Sequence, residues 1–369
     1  MCGSPNPSIP MPLKTPLYDV HTASGGKMVE FAGWSLPIHY GSQMEEHHAV
    51  RREAGMFDVS HMTVVDVQGA GAQDFLRRLL ANDVAKLKTP GQALYGCMLN
   101  DQGGVIDDLI TYYLDTAFYR TIVNAATREA DLAWMQEQAS GFDVELIERD
   151  DLAMVAVQGP QARDRVIEWL GARSAADLKP FRATSHGDVF IARTGYTGED
   201  GFEVLLPASQ AEAFWRGLAE SGVRPCGLGA RDSLRLEAGL NLYGQDMDAA
   251  TTPLESNLEW TVALEPADRD FIGRDALEQQ KREGPTRQLV GLLLDRGGIP
   301  RTGTIVHTPK GNGVVTSGCF GPSIERPIAL ARIPSGDFER VEVELRGRRL
   351  QAHLVKPPFV RNGEVKVQL

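Results

Sequence analysis

Apolar and polar positions along the first two-thirds of the chain follow two different periods. Apolar residues three and four apart, behind helix-start signals, predict helices, whereas short apolar runs between turn residues predict strands. The predicted helices cover 43–55, 127–141, 161–171, 210–222 and 273–284, with a further helix opened by Gly229. The predicted strands cover 63–69, 105–114, 118–125, 153–159, 189–194 and 202–207. Because no regular strand–helix–strand order of a parallel sheet emerges, the predicted fold class is α+β.

Local signals mark the ends of several of these helices. Ser42 with Glu45, and Ser209 with Glu212, have the spacing of a capping box, and Pro160 stands where a first helical turn is expected. Segments 67–80 and 157–170 each combine a strand, a Gly-containing turn and a helix. This internal similarity predicts two related α+β units.

The pattern changes near residue 288. From there on, short apolar strands alternate with Gly, Pro and Asp turns, and helical signals are absent. Such a pattern is typical of a small all-β barrel or sandwich. We therefore divide the chain into a flexible tail over 1–14, a main region over 15–287 and a C-terminal β domain over 288–369.

Composition narrows the function classes. The chain has 369 residues and a formal net charge of −11, which argues against a nucleic-acid partner because such proteins need a clustered positive surface. No apolar run approaches the ~18 residues of a membrane span, and the first 18 residues lack the hydrophobic core of a signal peptide. Four scattered cysteines without a CxxC spacing suit the cytoplasm and offer no zinc cluster.

The stretch "GGVIDDLI" (103–110) places two carboxylates inside an apolar strand. Strand alternation puts Asp107 on one face and Asp108 on the other, together with Ile110 and Tyr112. A carboxylate in such a wall can bind or polarise an N–H group of a ligand. Two acids in a turn at the rim of a sheet are an equally open interpretation at this point.

Two further stretches carry candidate binding groups. In "RTGYTGEDGFEV" (193–204), Glu203 begins a strand and can accept paired hydrogen bonds from an amidine-like edge, or it can be a surface residue of a hairpin. In "GLGARDSLRLEAGLNLYGQDMD" (227–248), Arg231 and Arg235 lie four apart on one helix and can face one cleft, or can pair with neighbouring acids. The adjacent His47 and His48 point to different sides of a helix, so we predict no metal site there.

These segments together resemble one family. "FAGWSLPIHYGSQMEEHHAVRREAGMFDVSHM", "LNDQGGVIDDLI", "IVNAAT", "RTGYTGEDGFE", "GLGARDSLRLEAGLNLYGQDMD" and "TSGCFGPSIERPIALA" are similar, in this order, to the T-protein of the glycine-cleavage system, a tetrahydrofolate-dependent aminomethyltransferase. The resemblance implies two intertwined folate-binding units followed by a C-terminal β-barrel. It also implies transfer of a one-carbon unit from the aminomethylated lipoyl arm of the H-protein to tetrahydrofolate, with release of ammonia and no metal.

The resemblance also assigns residues. Asp108 matches the family's catalytic aspartate, and Asp107 is left as its structural partner. Glu203 matches the acid that binds the amino edge of the pterin, and Arg231 matches the basic folate contact. Further positions of the pocket are matched by Met62, Tyr95, Ile110, Tyr112, Asn124 and Tyr196.

Two alternatives within the same fold stay open. One is a tetrahydrofolate-dependent demethylase, which would release no ammonia. The other is a non-catalytic folate-binding relative; such relatives carry a "KGC(Y/F)xGQE"-type motif, where this chain has "NLYGQDMD" without a cysteine.

Overall fold

The structure is a computed structural model that describes residues 11–295 and 297–368. The α-helices are α1 Tyr18–Ala23, α2 Gln43–Arg52, α3 Ala72–Leu79, α4 Arg128–Gln138, α5 Ala162–Leu170, α6 Ala211–Glu220, α7 Leu228–Glu237 and α8 Arg274–Glu283. The strands up to α7 are β1 Leu13–Lys14, β2 Lys27–Phe31, β3 Trp34–His39, β4 Gly55–Asp58, β5 Thr63–Gln68, β6 Ala93–Leu99, β7 Val105–Asp115, β8 Phe118–Val123, β9 Glu145–Glu148, β10 Leu152–Gln158, β11 Ala183–His186, β12 Val189–Ala192, β13 Gly201–Pro207 and β14 Arg224–Pro225. The later strands are β15 Arg287–Leu294, β16 Ile305–Thr308, β17 Gly311–Gly321, β18 Arg326–Pro334, β19 Arg340–Leu345, β20 Arg348–Val355, β21 Val360–Arg361 and β22 Glu364–Val365.

Two mixed units form the main region, and the chain passes between them more than once. One sheet has the strand order β6-β7-β8-β5-β9, and the other has the order β11-β12-β13-β10-β4-β14. Strand β4 belongs to the second sheet although it precedes β5 of the first, and it pairs with β10 almost a hundred residues later. The prediction of two intertwined α+β units is therefore confirmed.

The two sheets pack face to face, and helices cover their outer faces. Along β10, Val155 and Val157 point to the helices α5 and α6, whereas Met154 and Ala156 point to the other sheet. Both faces of the central strands are thus buried, which explains why these strands are almost continuously apolar rather than alternating. The predicted similarity of 67–80 and 157–170 is confirmed as β5–α3 and β10–α5.

The C-terminal part is a closed six-stranded barrel, as predicted, with the strand order β15-β18-β17-β16-β19-β20. It is tied to α7 by buried polar groups. Arg235 donates to Asp246 at 2.8 Å and to Ser317 of the barrel at 2.9 Å. Because these groups are buried and mutually satisfied, they fix the position of the barrel against the main region.

Local signals at helix ends had mixed outcomes. Ser42 caps α2, accepting a hydrogen bond from the Glu45 N–H at 3.3 Å, as its spacing predicted. The capping box predicted at Ser209 is wrong, because residues 208–210 form a 3₁₀ turn and α6 follows it without a side-chain cap. Pro160 also lies outside the helix, since α5 begins at Ala162 and Gln161 holds the N-cap position without a side-chain hydrogen bond.

The end of the predicted flexible tail is ordered in the structure. Leu13 and Lys14 form β1, which pairs in parallel with Trp34 and Ser35 of β3. The backbone hydrogen bonds of that pair, together with the bond from Leu13 N–H to the Gly33 carbonyl at 2.8 Å, hold the segment in place. Residues 1–10 of the predicted tail lie outside the described residues.

Candidate active site

A cavity of about 1050 Å³ lies where the two sheets, the end of α7 and the barrel meet. Eight of the nine site residues predicted from the sequence line it. They are Met62, Tyr95, Asp108, Ile110, Asn124, Tyr196, Glu203 and Arg231. A cavity of this size can hold an organic ligand as large as a cofactor.

Asp108 lies within the regular part of β7, so the interpretation of a turn at the sheet rim does not hold. Its Oδ2 accepts a hydrogen bond from the Tyr95 hydroxyl at 2.7 Å, and its Oδ1 accepts one from the Asn124 amide at 3.0 Å. Burial, followed by the charge of neighbouring Asp107, raises the pKa of Asp108 to about 7. A carboxyl with such a pKa can take up and give back a proton near neutral pH.

Asp107 points to the opposite face of β7 and is fully buried. Both of its oxygens accept hydrogen bonds from Asn124, one from the backbone N–H at 2.9 Å and one from the side-chain amide at 2.8 Å. Asn124 thus contacts both acids, because it follows β8 directly beside the start of β7. The predicted separation of the two carboxylates is confirmed, and the partner of Asp107 is an amide rather than solvent.

Glu203 is held by two hydroxyl groups in series. Thr194 donates to the Glu203 Oε2 at 2.6 Å, and the Thr194 oxygen lies 3.0 Å from the Tyr112 hydroxyl. Within the described residues the Glu203 Oε1 has no donor, so this oxygen is available to a ligand in the cavity. Burial raises the pKa of Glu203 above its ordinary value.

Tyr112 differs from the prediction that it lines the pocket. Its side chain is fully buried between the sheets, edge-on to Phe190 at 5.1 Å between ring centroids. It is not among the residues that line the cavity, and its hydroxyl instead contacts Thr194, which does line it. Its contact with the site is therefore indirect.

Arg231 and Arg235 have different surroundings, although they lie one helical turn apart. The guanidinium of Arg231 lies 4.4 Å from the centroid of the Tyr196 ring and makes no hydrogen bond or ion pair with any of the described residues. Arg235 is buried against Asp246 and the barrel. Arg235 therefore follows the alternative interpretation: it pairs with the neighbouring acid Asp232 at 2.9 Å, and its side of the helix meets the barrel instead of the cleft.

Met62 and Ile110 form part of an apolar wall between the sheets. They pack against the inter-sheet core that includes Val59, Ile122 and Met154. Apolar side chains at this position exclude water from the floor of the cavity, which strengthens electrostatic interactions of the acids above it. The wall can also support the flat face of a ring.

Several lining residues were not singled out from the sequence. Trp260 is 65% exposed and stacks on Tyr95 with 5.7 Å between ring centroids. The barrel and the residues after it supply the far wall, through Gln288–Val290, Gly336–Phe338, Leu354–Pro358 and Arg361. Their distance along the chain from the other site residues is the reason that no local pattern revealed them.

The segment after α7 reaches the site through a close backbone contact. The Val105 N–H lies 3.1 Å from the Asp248 carbonyl and 2.9 Å from the Thr251 carbonyl. A Cβ on Gly104 would lie 1.9 Å from the Ala249 carbonyl oxygen, so only glycine allows this approach. The second glycine of "GGVIDDLI" thereby anchors the segment that contains the "NLYGQDMD" motif beside Asp108.

The two adjacent histidines have separate surroundings. His47 lies 2.8 Å from Ser233 and 3.2 Å from Glu237 in a buried network, and burial lowers its pKa. Among residues 11–295 and 297–368, no group of three or more His, Cys, Asp or Glu side chains could hold a metal ion. None of the helices in the described part of the chain is long and apolar enough to cross a membrane.

Comparisons with known proteins agree with this architecture. Residues 17–266 match the family model of the GCVT N-terminal domain, and residues 287–361 match that of the glycine cleavage T-protein C-terminal barrel domain. An aminomethyltransferase of Xanthomonas axonopodis pv. citri is 56% identical over 364 residues, which is 96% of this chain and 98% of that protein. One from Pseudomonas syringae pv. tomato is 54% identical over 358 residues, which is 96% of this chain and 99% of that protein.

A solved structure extends the likeness to three dimensions. The crystal structure of glycine cleavage system aminomethyltransferase T from Bartonella henselae superposes with a TM-score of 0.90 at 38% identity, covering 96% of this chain and 99% of that one. Both halves of the chain, the intertwined units and the barrel, are therefore shared. The chain belongs to the glycine cleavage T-protein family of aminomethyltransferases.

Proposed function

We propose that this protein transfers the one-carbon unit from the aminomethylated lipoyl arm of an H-protein to tetrahydrofolate, giving 5,10-methylenetetrahydrofolate, ammonia and the dihydrolipoyl H-protein. The observation that carries the proposal is the Asp108 carboxyl, which lies on the cavity wall between two hydrogen-bond donors and has a pKa of about 7. Family membership supports the same reaction.

The cavity residues fit a reduced folate. The free Oε1 of Glu203 suits the amino edge of a pterin, because a carboxylate accepts hydrogen bonds from such an edge. The unpaired guanidinium of Arg231 suits carbonyl or carboxylate oxygens. The apolar side chains of Met62 and Ile110 suit the faces of the ring. When bound, tetrahydrofolate supplies the amine that accepts the one-carbon unit.

Asp108 is the proposed acid–base residue. Tyr95 and Asn124 fix the orientation of its carboxyl group before any substrate arrives, which lowers the entropy cost of reaching a reactive geometry. Its carboxylate can accept the proton of the attacking amine and stabilise positive charge that develops at the transferred carbon. The raised pKa allows the same group to return the proton to departing ammonia near neutral pH.

A direct assay tests the proposal. Purified protein with tetrahydrofolate and an aminomethylated lipoyl H-protein is expected to produce methylenetetrahydrofolate and ammonia in equal amounts. A tetrahydrofolate-dependent demethylase would give the folate product from a methylated donor without ammonia, and a non-catalytic relative would bind folate without either product. No turnover with an H-protein that supports another member of the family would refute the proposal.

The sparse cysteines support a cytoplasmic location for this reaction. Cys97, Cys226 and Cys319 are all free in the structure. Free thiols of this kind persist in reducing compartments. We therefore infer that the protein works in the cytoplasm, with an H-protein and tetrahydrofolate as its partners.

A further inference from the structure

Three acids lie close together behind the cavity wall. Besides Asp107 and Asp108 of β7, Asp131 in the first turns of α4 is fully buried, and neither of its oxygens has a donor among the described residues. None of the ion pairs formed by residues 11–295 and 297–368 includes any of the three acids. A buried carboxylate with neither a cation nor a donor is costly, so a proton must replace the missing partner.

The carboxyl of Asp131 is a close neighbour of that of Asp107, and each affects the pKa of the other. Two carboxyl groups can form a hydrogen bond only if a proton lies between them, because ionised carboxylates have no donor. Burial and the neighbouring Asp131 raise the pKa of Asp107 well above its usual range, and burial raises the pKa of Asp131 to about 6. The pair therefore holds one proton and one negative charge at neutral pH.

Asn124 connects this pair to Asp108. Its backbone N–H and side-chain amide occupy both oxygens of Asp107, and the same side-chain nitrogen donates to Asp108 at 3.0 Å. The position of the shared proton thus decides whether the negative charge of the pair lies on Asp107, next to Asp108, or further away on Asp131.

The tyrosine and cysteine side chains around the acids are neutral near pH 7. Burial raises the pKa of Tyr95 and Cys97 on β6, and of Tyr196 and Tyr243 on the segments that close the cavity. Asp248 lies beside Tyr243 on the segment that packs against the start of β7. The charge of the Asp107–Asp131 pair is therefore the movable charge that acts on Asp108 from within the wall.

We propose that Asp131 is a positioning residue of the reaction, which shares one proton with Asp107, keeps the negative charge away from Asp107 and thereby leaves Asp108 free to ionise near neutral pH. The proposal rests on the proposed role of Asp108. Asp131 does not line the cavity and acts through Asp107 and Asn124. No covalent step is added: the shared proton stays within the pair throughout.

The first test is the pH profile of Asp131→Asn. The new amide can donate a hydrogen bond to Asp107, which then ionises beside Asp108. The acid limb of the pH profile, which is the rise of kcat/KM as Asp108 loses its proton, should therefore move up by about one pH unit. Because the pKa of Asp108 is about 7 before the change, we expect an approximately fivefold loss at pH 7 that is recovered at pH 9. Asp131→Glu, which keeps the carboxyl, should return the limb towards that of the unmodified protein.

Asp66→Asn is the matched control. Asp66 is a buried aspartate of the same sheet, but its charge is paired with Arg120 at 2.7 Å and Arg149 at 2.8 Å. This variant should lose stability without moving the acid limb. If Asp131→Asn lowers kcat/KM by the same factor at every pH, as a purely structural defect would, the proposal is wrong.

The second test does not depend on turnover. Infrared difference spectra at pH 8 should show a protonated-carboxyl band in Asp108→Asn, because the shared proton of the pair remains, and this band should be absent from Asp108→Asn/Asp131→Asn. Absence of that band from Asp108→Asn, or its persistence unchanged in the double variant, overturns the proposal. If the transferase assay fails, only the proposed function is lost, because the spectra test the shared proton without turnover. If the double variant does not fold, the spectrum of Asp108→Asn alone decides.

Discussion

Buried carboxylates occur in two regions of this molecule, and the two sets behave in opposite ways. In the network between α2, α7 and the barrel, Glu237 lies 2.9 Å from Arg51 and 2.7 Å from the Ser323 hydroxyl. Although burial opposes it, the hydrogen bonds of His47 and Ser323 and the charge of Arg51 hold the pKa of Glu237 below its ordinary value. In the cavity wall, none of the described cations contacts Asp108, and its pKa is raised.

The comparison shows that burial alone does not determine the state of an acid. Both regions remove carboxyl groups from water, which disfavours their charged form. Where a cation and several hydrogen-bond donors surround the carboxyl group, it stays ionised and links the barrel to the main region. Where only neutral donors are present, the group becomes an acid that titrates near neutral pH, which is what proton transfer requires.

The largest expected effect comes from removing the acid of the cavity wall. Asp108→Asn keeps the size and the hydrogen bond of the side chain but cannot accept a proton, so turnover should fall by about 10²- to 10⁴-fold. Steady-state kinetics with tetrahydrofolate and the aminomethylated H-protein measure this, with circular dichroism as the control for folding. A rate within twofold of the unmodified protein would exclude Asp108 from the chemistry.

The next effect comes from breaking the paired network. Glu237→Gln leaves Arg51 and the donors around it with a neutral partner, which should lower the free energy of unfolding by about 3–5 kcal/mol. Urea unfolding at pH 7 measures the change. Lys281→Gln, at an exposed ion pair with Glu259 3.4 Å away, is the control, and we expect it to cost less than about 1 kcal/mol. Equal losses in the two variants would contradict the distinction between the two kinds of pair.

The two regions should also differ in the sign of their pH dependence. The folded-state pKa of Asp108 is above its unfolded value, so the folded protein binds more protons between about pH 4 and 7 and loses stability as the pH rises through that window. Asp108→Asn should therefore be more stable than the unmodified protein at pH 8, by roughly 1–3 kcal/mol. Urea unfolding of both proteins at pH 5 and pH 8 tests this; a gain that is equal at both pH values is the contrary outcome.

Glu237 should show the reverse. Its folded-state pKa is lowered, so its contribution is present above its unfolded pKa and is lost as the pH falls through the folded value. The destabilisation caused by Glu237→Gln should accordingly shrink in acid. Unfolding curves of the variant and the unmodified protein at pH 7 and pH 4 provide the measurement, and a constant difference would argue against the paired charge as its cause.

The smallest expected effect comes from removing the hydroxyl of Tyr95, one of the two hydrogen-bond donors to Asp108. The Tyr95 hydroxyl stabilises the ionised form of Asp108, so Tyr95→Phe should raise the pKa of Asp108 and move the acid limb of kcat/KM upward by about one pH unit or less. Tyr113→Phe is the control, because Tyr113 packs on the helix side of the sheet. An unmoved limb in Tyr95→Phe would mean that the hydroxyl only positions the carboxyl.

The sequence alone was sufficient for the class of fold and for the acids, the arginine and one apolar wall of the cavity. Periodic apolar residues predicted the central strands and helices because burial of one face imposes that period. Alternation along β7 separated Asp107 from Asp108, since successive side chains of a strand point to opposite faces. The family resemblance then selected the residues of the cavity, and eight of nine line it.

The tertiary structure decided everything that depends on contacts between distant segments. Tyr112 lies on the face of β7 that strand alternation predicted. The second sheet nevertheless buries its ring, so that Tyr112 is linked to the cavity through the contact of its hydroxyl with Thr194. Arg231 and Arg235 share a helix, but the barrel covers only one of them. The partners of the three wall acids come from β6, the end of β8 and α4. Local sequence determines which way a side chain points, and only the assembled fold determines what it meets there.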